Sequence, residues 1–229
     1  MWRRIADDIR LDIVGGKMAS GDRLPPESAL AERFAANRHT VRRALAVLAE
    51  EGVVRAEQGR GTFVDAARRL SYRIGKRTRF SEGLAGQTGE THGELLAARQ
   101  EHAPANVARG LGIAPGARVV RLETLSFADG RPLSRGTSWF AYARLPDIAE
   151  AYAATGSITQ SLRQLGVRDY ARQSTRISAR HASVEEARSL KLAPGTVMLV
   201  TEIVDTDNDE QPIQYAITRF PADRLELVV

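Results

Sequence analysis

The stretch NRHTVRRALAVLAEEGVVRAEQGRGTFV, residues 37–64, holds the pattern that decides the fold of the N-terminal region. Val41, Ala44, Leu45 and Leu48 recur at three- and four-residue spacing, one apolar stripe along a helix from Arg38 to Glu50. Asn37 offers its side-chain oxygen as the N-cap. Arg38, His39, Thr40, Arg42 and Arg43 crowd the start of that helix, mostly off the stripe and with no acid among them. After Gly52, two β-prone runs, Val53–Ala56 and Thr62–Val64, flank the turn Gln58-Gly59-Arg60-Gly61. A helix of this kind packs its apolar side on a preceding helix and presents its first residues to base edges and phosphates. The glycine-flanked hairpin, with Arg60 near its tip, reads as a wing that follows the DNA backbone or enters the minor groove.

Working outward, SGDRLPPESALAERFAA, residues 20–36, supplies the preceding helix. Pro25-Pro26 blocks continuation from upstream, and Pro26 suits a first helical turn, where its missing N–H costs nothing. Leu30, Ala31 and Phe34 form a short apolar face before the break at Ala35-Ala36-Asn37. Earlier still, Trp2, Ile5, Ile9 and Ile13 mark one stripe of a first helix that Gly15-Gly16 can stop. Any single arginine here has a plain alternative as part of a solvated helix face. The combination of short helix, three-residue break, acid-free helix start and glycine hairpin favours a winged helix-turn-helix.

Bulk properties agree without deciding. The 229 residues are 43% hydrophobic, enough for one or two cored domains, with no cysteine and hence no disulfide or thiolate metal site. No window approaches the roughly 18 apolar residues of a membrane span. The N-terminal apolar residues are interleaved with charge, unlike a secretory signal, so a cytoplasmic protein is expected. The net charge is +5, and residues 66–80 hold six basic groups (Arg68, Arg69, Arg73, Lys76, Arg77, Arg79) and no acid. This run suggests a linker over 66–79 between a first domain at 1–65 and a second at 80–229. It reads as a solvated connector or as a segment that skims DNA phosphates.

The strings GDRLPPESALAERF, NRHTVRRALAVLAEEGVV and GRGTFV resemble the winged-helix domain of the GntR family of bacterial regulators, in matching order and spacing. The resemblance implies DNA contacts from Ser28, Arg38, His39, Thr40, Arg42, Gly59 and Arg60. Asn37-Arg38 stands where many members have Ser or Thr followed by Arg, and capping at position 37 should survive the exchange.

The second region contains an internal duplication. Ala108, Arg109, Leu111, Pro115, Gly116 and Glu123 recur as Ala187, Arg188, Leu190, Pro194, Gly195 and Glu202. After one inserted residue, Pro132 and Phe140 recur as Pro212 and Phe220. Each copy reads as a helix, a strand, a turn and a returning strand, so an α+β domain with an antiparallel sheet and pseudo-twofold symmetry is expected. Ser134 then corresponds to Gln214 and Arg135 to Tyr215. His102 and His181 also correspond, and both read as structural residues at a helix entry.

This region resembles the effector-binding (UTRA) domain of the HutC-type subgroup, which has a chorismate-lyase-like fold. SYRIGKRTRFSEGL and STRISARHASVEEARSLKL are most similar to regulators of phosphonate utilisation. The resemblance implies an effector site at Arg79, Phe80, Ser81, Thr124, Ser126, Arg135, Thr137, Ser157, Thr159, Gln214 and Phe220. Where sugar-phosphate-binding members carry arginines, this chain has Thr124 and Ser126, and where they carry glutamates it has Gly136 and Gln214. Arg79, Arg135, Arg172 and Arg176 remain as candidates to neutralise a phosphonate, phosphate or similar oxyanion.

The four histidines form no nucleophile–base–orienter set, and no phosphate loop or metal motif appears. No catalytic residue, cofactor or metal is therefore expected. The expected function is a homodimeric repressor of an inverted-repeat operator, relieved by a small anionic effector. The alternatives are a lyase-type enzyme fused to a DNA-binding module and a DNA binder that ignores metabolites.

Overall fold

The apolar stripes become helices where their spacing predicts them: α1 (Trp2–Val14), α2 (Glu27–Arg33) and α3 (Arg38–Glu50). The computed structural model describes residues 1–19, 21–64, 69–75, 83–193 and 195–229. Ile5, Ile9, Leu30, Val41, Ala44 and Leu48 are each at most 2% exposed and meet in one core, with Trp2, Ile13 and Phe34 packed at its margin. Pro26 sits one residue earlier than expected, as the N-cap of α2 rather than in its first turn. Asn37 Oδ1 caps α3, accepting from the Thr40 N–H at 2.8 Å and from the Thr40 hydroxyl at 2.8 Å. The hairpin follows as β1 (Val54–Glu57) and β2 (Gly61–Val64), paired antiparallel, and Arg23 bridges to Phe63 beside it.

The chain divides into two compact units, Met1–Arg69 and Leu70–Val229. Leu70–Arg73, which the basic run placed inside a connector, is strand β3, paired in parallel with β10 (Leu225–Val228) at the end of the chain. The alternation inside that run is the reason. Tyr72 is 6% exposed and packs in one cluster with Phe220 and Leu225, with Leu70 against it. Of the recurring residues, Pro194 lies outside the described residues.

Between these ends run β4 (Thr91–His102), α4 (Ala105–Leu111), β5 (Arg118–Ala128), β6 (Arg131–Ala141), α5 (Ile148–Thr155) and α6 (Ile158–Gln164). Then come β7 (Ala171–His181), α7 (Val184–Ser189), β8 (Val197–Thr206) and β9 (Pro212–Pro221). The six long strands form one antiparallel sheet in the order β4-β5-β6-β9-β8-β7. That order is the duplication made visible, since each half contributes three strands and the copies meet at β6–β9. Thr137 pairs there with Ile217, its own counterpart in the repeat, so the pseudo-twofold axis passes between them. The inserted residue of the second copy falls in its hairpin turn. The first turn is tight, with Asp129 and Gly130 at φ 48° and 74°, while the longer second one is held by Asp207 Oδ1 accepting from the Asp209 and Gln211 N–H groups.

Helix placement breaks the symmetry. α4 packs against Trp139 and Tyr215 on one face. The α5–α6 pair covers the other face in the first half only, through Ile148, Tyr152 and Leu162 on Val120, Leu122 and Phe140. Its close approach depends on glycine. A Cβ at Gly93 would lie 2.2 Å from the Tyr152 hydroxyl and 2.5 Å from the Gly156 carbonyl oxygen, and Gly156 holds φ at 62°. Gly93→Ala should lower the stability of the second unit by about 1–3 kcal/mol, because backbone stands in the way and cannot relax cheaply. A urea or thermal melt checks this, and a wild-type transition would contradict it.

Candidate functional site

In the first unit, the residues singled out by sequence lie on two adjoining helix starts and on the hairpin tip. Ser28 is exposed in the first turn of α2, and Arg38, His39 and Arg42 are exposed on α3, with Thr40 half-buried by its contact to the cap. Glu27, which sequence reasoning passed over, binds Arg42 with both oxygens, Nε–Oε1 at 3.2 Å and Nη2–Oε2 at 2.9 Å. The Arg42 guanidinium holds the Glu27 carboxyl below the usual range. This pair ties the start of α2 to the first turns of α3, and its partners are 15 residues apart, beyond any local pattern. At the hairpin, Gly59 adopts φ 75° and Arg60 is exposed, its Nη1 2.7 Å from Glu57 Oε2. Arg43 and Arg3 lie over the Trp2 ring, 5.0 and 5.3 Å from its centre. The first unit thus carries an acid-free start of α3 and an arginine-tipped hairpin.

In the second unit, the face beneath α5 and α6 encloses a cavity of about 250 Å³. Of the positions expected at an effector site, Thr124, Ser126, Ser157, Thr159, Gln214 and Phe220 line it, as does Arg172. Arg135, Thr137 and Arg176 do not. Strand geometry is the reason: side chains alternate between faces. Thr124 and Ser126 stand opposite Gly136 and Ser134, so on β6 it is Ser134, Gly136 and Ser138 that share their face. Arg135 and Thr137 point to the other side, where Arg135 Nη2 meets Glu185 Oε1 at 2.7 Å and Thr137 donates to Glu123 Oε2 at 3.1 Å. Arg79, Phe80 and Ser81 lie outside the described residues.

Half of the lining residues carry a hydroxyl. Ten serines and threonines contribute, together with Tyr72, Tyr152 and Tyr170, glutamines 160 and 214, and His92. Ser157 caps α6 by accepting from the Gln160 N–H, and the Thr159 and Tyr170 hydroxyls lie 2.7 Å apart. Gln214 Nε2 donates to Ser138 Oγ at 2.9 Å across β9 and β6. Burial pushes the Tyr152 hydroxyl up to about 12, against the hydrogen bond with Thr124, so it stays a neutral donor. Among the described residues the formal charges of the lining are Arg172 and Asp205, joined by Arg172 Nε to Asp205 Oδ1 at 2.9 Å. Sequence reasoning missed Ser134 and Ser138 as cavity residues, though strand parity from Thr124 and Ser126 would have found them. It missed Asp205 and the three tyrosines because they come from β3, β8 and the segments around α5 and β7.

The opposite face carries a structural ion network. Glu186 closes a capping box with Ser183 and accepts from both terminal nitrogens of Arg180, at 2.7 and 2.6 Å. His102 and His181 place Nδ1 2.7 and 3.1 Å from the Gly116 and Gly195 carbonyl oxygens, the same contact in each repeat. Among the described residues no group of three or more acids and histidines is placed to hold a metal, and no helix is long and apolar enough to cross a membrane.

A winged helix-turn-helix joined on one chain to a cavity-bearing α+β domain defines a DNA-binding regulator with a small-molecule effector domain. Residues 2–64 match the bacterial regulatory proteins of the gntR family, and residues 86–226 match the UTRA domain. The chain belongs to the GntR family of transcriptional regulators, in the group that carries a UTRA effector domain. It is 48% identical over 227 residues to an HTH-type transcriptional regulator of Rhizobium meliloti, covering 99% of this chain and 93% of that one. It is 35% identical over 148 residues to the mannosyl-D-glycerate transport/metabolism system repressor MngR of Escherichia coli, covering 65% of this chain and 61% of the relative. Among solved structures, PhnF from Mycobacterium smegmatis is similar with a TM-score of 0.64 at 28% identity, over 100% of this chain and 97% of that one. These families regulate transcription; they are not enzymes.

Arg180, first, and the Ser183 backbone lower the Glu186 carboxyl from 4.5 to about 2. A carboxyl whose pKa falls on folding adds stability that is complete above its unfolded value and is lost as pH drops toward its folded one. Acid titration of stability should therefore decline between pH 4.5 and about 2 in the wild type, and less steeply in Glu186→Gln. Parallel declines in the two proteins would remove Glu186 from this account.

Proposed function

We propose that the protein is a cytoplasmic, homodimeric repressor whose grip on an inverted-repeat operator is released by a small anionic effector. In this reading residues 1–65 bind DNA and the domain that takes in residues 80–229 holds the effector. Residues 66–69 connect them, because β3 and Ile74 already belong to the effector domain. The observation that carries the DNA half is the capped, acid-free start of α3 on the same compact unit as the exposed Arg60 hairpin. Arg38 and Arg42 have the fork to pair with guanine in the major groove, while Ser28, Thr40 and the Gly59 backbone suit phosphates. His39 sits between them at the helix start, and Arg60 is placed to enter the minor groove. A two-fold protein reads a palindromic site, and MngR, a relative over 65% of this chain, is named a repressor.

For the effector half, Arg172 and the hydroxyls of Thr124, Ser126, Ser157 and Thr159 offer donors to an oxyanion, and Gln214 and Phe220 complete the candidate lining. The effector shifts operator affinity only by the difference between its affinities for the DNA-bound and free states. Tighter operator binding with effector present would reverse the sign.

Arg42→Ala and Arg60→Ala should each weaken binding to the operator roughly tenfold or more while leaving the melting curve unchanged, the loss expected for one arginine contact. Wild-type affinity in either variant, measured by fluorescence anisotropy, would remove that residue from the interface. Methylphosphonate, inorganic phosphate and sulfate, tested singly, should include at least one that raises the thermal midpoint by mass action. No shift with any of them at millimolar concentration would contradict an anionic effector.

A further inference from the structure

Strand pairing makes Arg172–Asp205 the counterpart, in the second half of the sheet, of Gly93–Ser126 in the first. In the first half that position is small because the α5–α6 corner presses on it. In the second half it carries a charged pair inside the cavity. The Asp205 side chain is 3% exposed, and among the described residues its one hydrogen bond comes from Arg172 Nε to Oδ1. Its second oxygen accepts from none of them. Gln214, directly opposite Asp205 across β8 and β9, donates one of its two amide N–H groups to Ser138, and its carbonyl oxygen is a second acceptor on the cavity face. Burial pushes the Asp205 carboxyl up despite Arg172, as expected of a carboxylate short of donors.

We propose that the corner formed by Asp205 Oδ2 and Gln214 Oε1 receives a protonated amine of the effector, so that the ligand is a small zwitterion rather than a simple anion. This rests on the reading of the cavity as the effector site and narrows its ligand. A purely anionic ligand entering here meets a lining of no net formal charge among the described residues, with Asp205 already holding Arg172. A zwitterion offers its oxyanion to Arg172 and the hydroxyls, and its ammonium supplies the donors that Asp205 and Gln214 lack. Acceptors that open on the cavity without a protein donor favour a ligand that brings the donating group over an analogue that lacks it.

The test is isothermal titration of the full chain with 2-aminoethylphosphonate, ethylphosphonate and ethanolamine, which separate the two charges. 2-Aminoethylphosphonate should bind roughly ten- to a hundredfold more tightly than ethylphosphonate, the range of one charge-assisted hydrogen-bonded contact. Asp205→Asn should erase that gap, and Gln214→Leu, which leaves the Arg172–Asp205 pair intact, should narrow it. Equal binding of the two phosphonates by the wild type would overturn the ammonium site and leave the oxyanion reading standing. Binding of 2-aminoethylphosphonate and ethanolamine without ethylphosphonate would support the ammonium site and count against the oxyanion. No binding by any of the three overturns the inference, while the phosphate and sulfate panel still judges the broader reading.

Discussion

The pairing of β6 with β9 at Thr137 and Ile217 is the constraint on which the effector domain depends. Each half of the duplication is a three-stranded sheet whose inner edge strand, β6 or β9, would be open by itself, and an unpaired strand edge is a row of unsatisfied donors and acceptors. Joining the two edges satisfies both and brings Ser134 and Ser138 from one half onto the same face as Gln214 from the other. The cavity floor exists only because two copies share that seam. Its chemistry then comes from the departures from symmetry. A helical corner sits on Gly93 in one half, and an ion pair stands at the matching place in the other.

That division explains the electrostatics of the molecule. Charge on the α4–α7 face is spent on itself: Arg180 with Glu186, Arg135 with Glu185, Arg121 with Glu123. Charge on the cavity face is reduced, among the described residues, to one pair in a hydroxyl lining. A buried ion pair with its capacity fully met is a structural element, whereas one with an open acceptor in a cavity invites a donor. In the winged unit the arginines expected at DNA also hold local partners, Arg42 with Glu27 and Arg60 with Glu57. Both pairs are exposed, so water and salt keep them weak and free to exchange for phosphate or guanine.

Much of this was legible in the residues. The winged unit follows from local rules, namely an apolar stripe, an Asn cap and a glycine turn, each of which acts over a few residues. The duplication predicted a pseudo-twofold antiparallel sheet with two strands from each copy, because repeated sequence demands repeated structure, and the outer strands β4 and β7 are what it did not announce. Strand parity was the point of failure: Arg135 and Thr137 were grouped with Thr124 and Ser126, although the period of two puts them on opposite faces once the register Thr124–Gly136 is known. Register is a tertiary fact, set by the hairpin turn and a bulge near Phe127. The connector assignment failed at Leu70–Arg73 for a related reason, since β3 is a strand only because β10, some 150 residues later, lies beside it. Asp205 and Glu27 matter through partners distant in sequence, which no local pattern announces.

The central claim is that this chain reads a specific duplex through the start of α3. Anisotropy titration at moderate salt, comparing a duplex from the region upstream of its own gene with a scrambled duplex of equal length and composition, tests it most directly. The account predicts a preference of roughly a thousandfold or more, the lower range for sequence-specific over non-specific binding. Equal affinities that fall together as salt rises would reduce the interface to charge alone and contradict it.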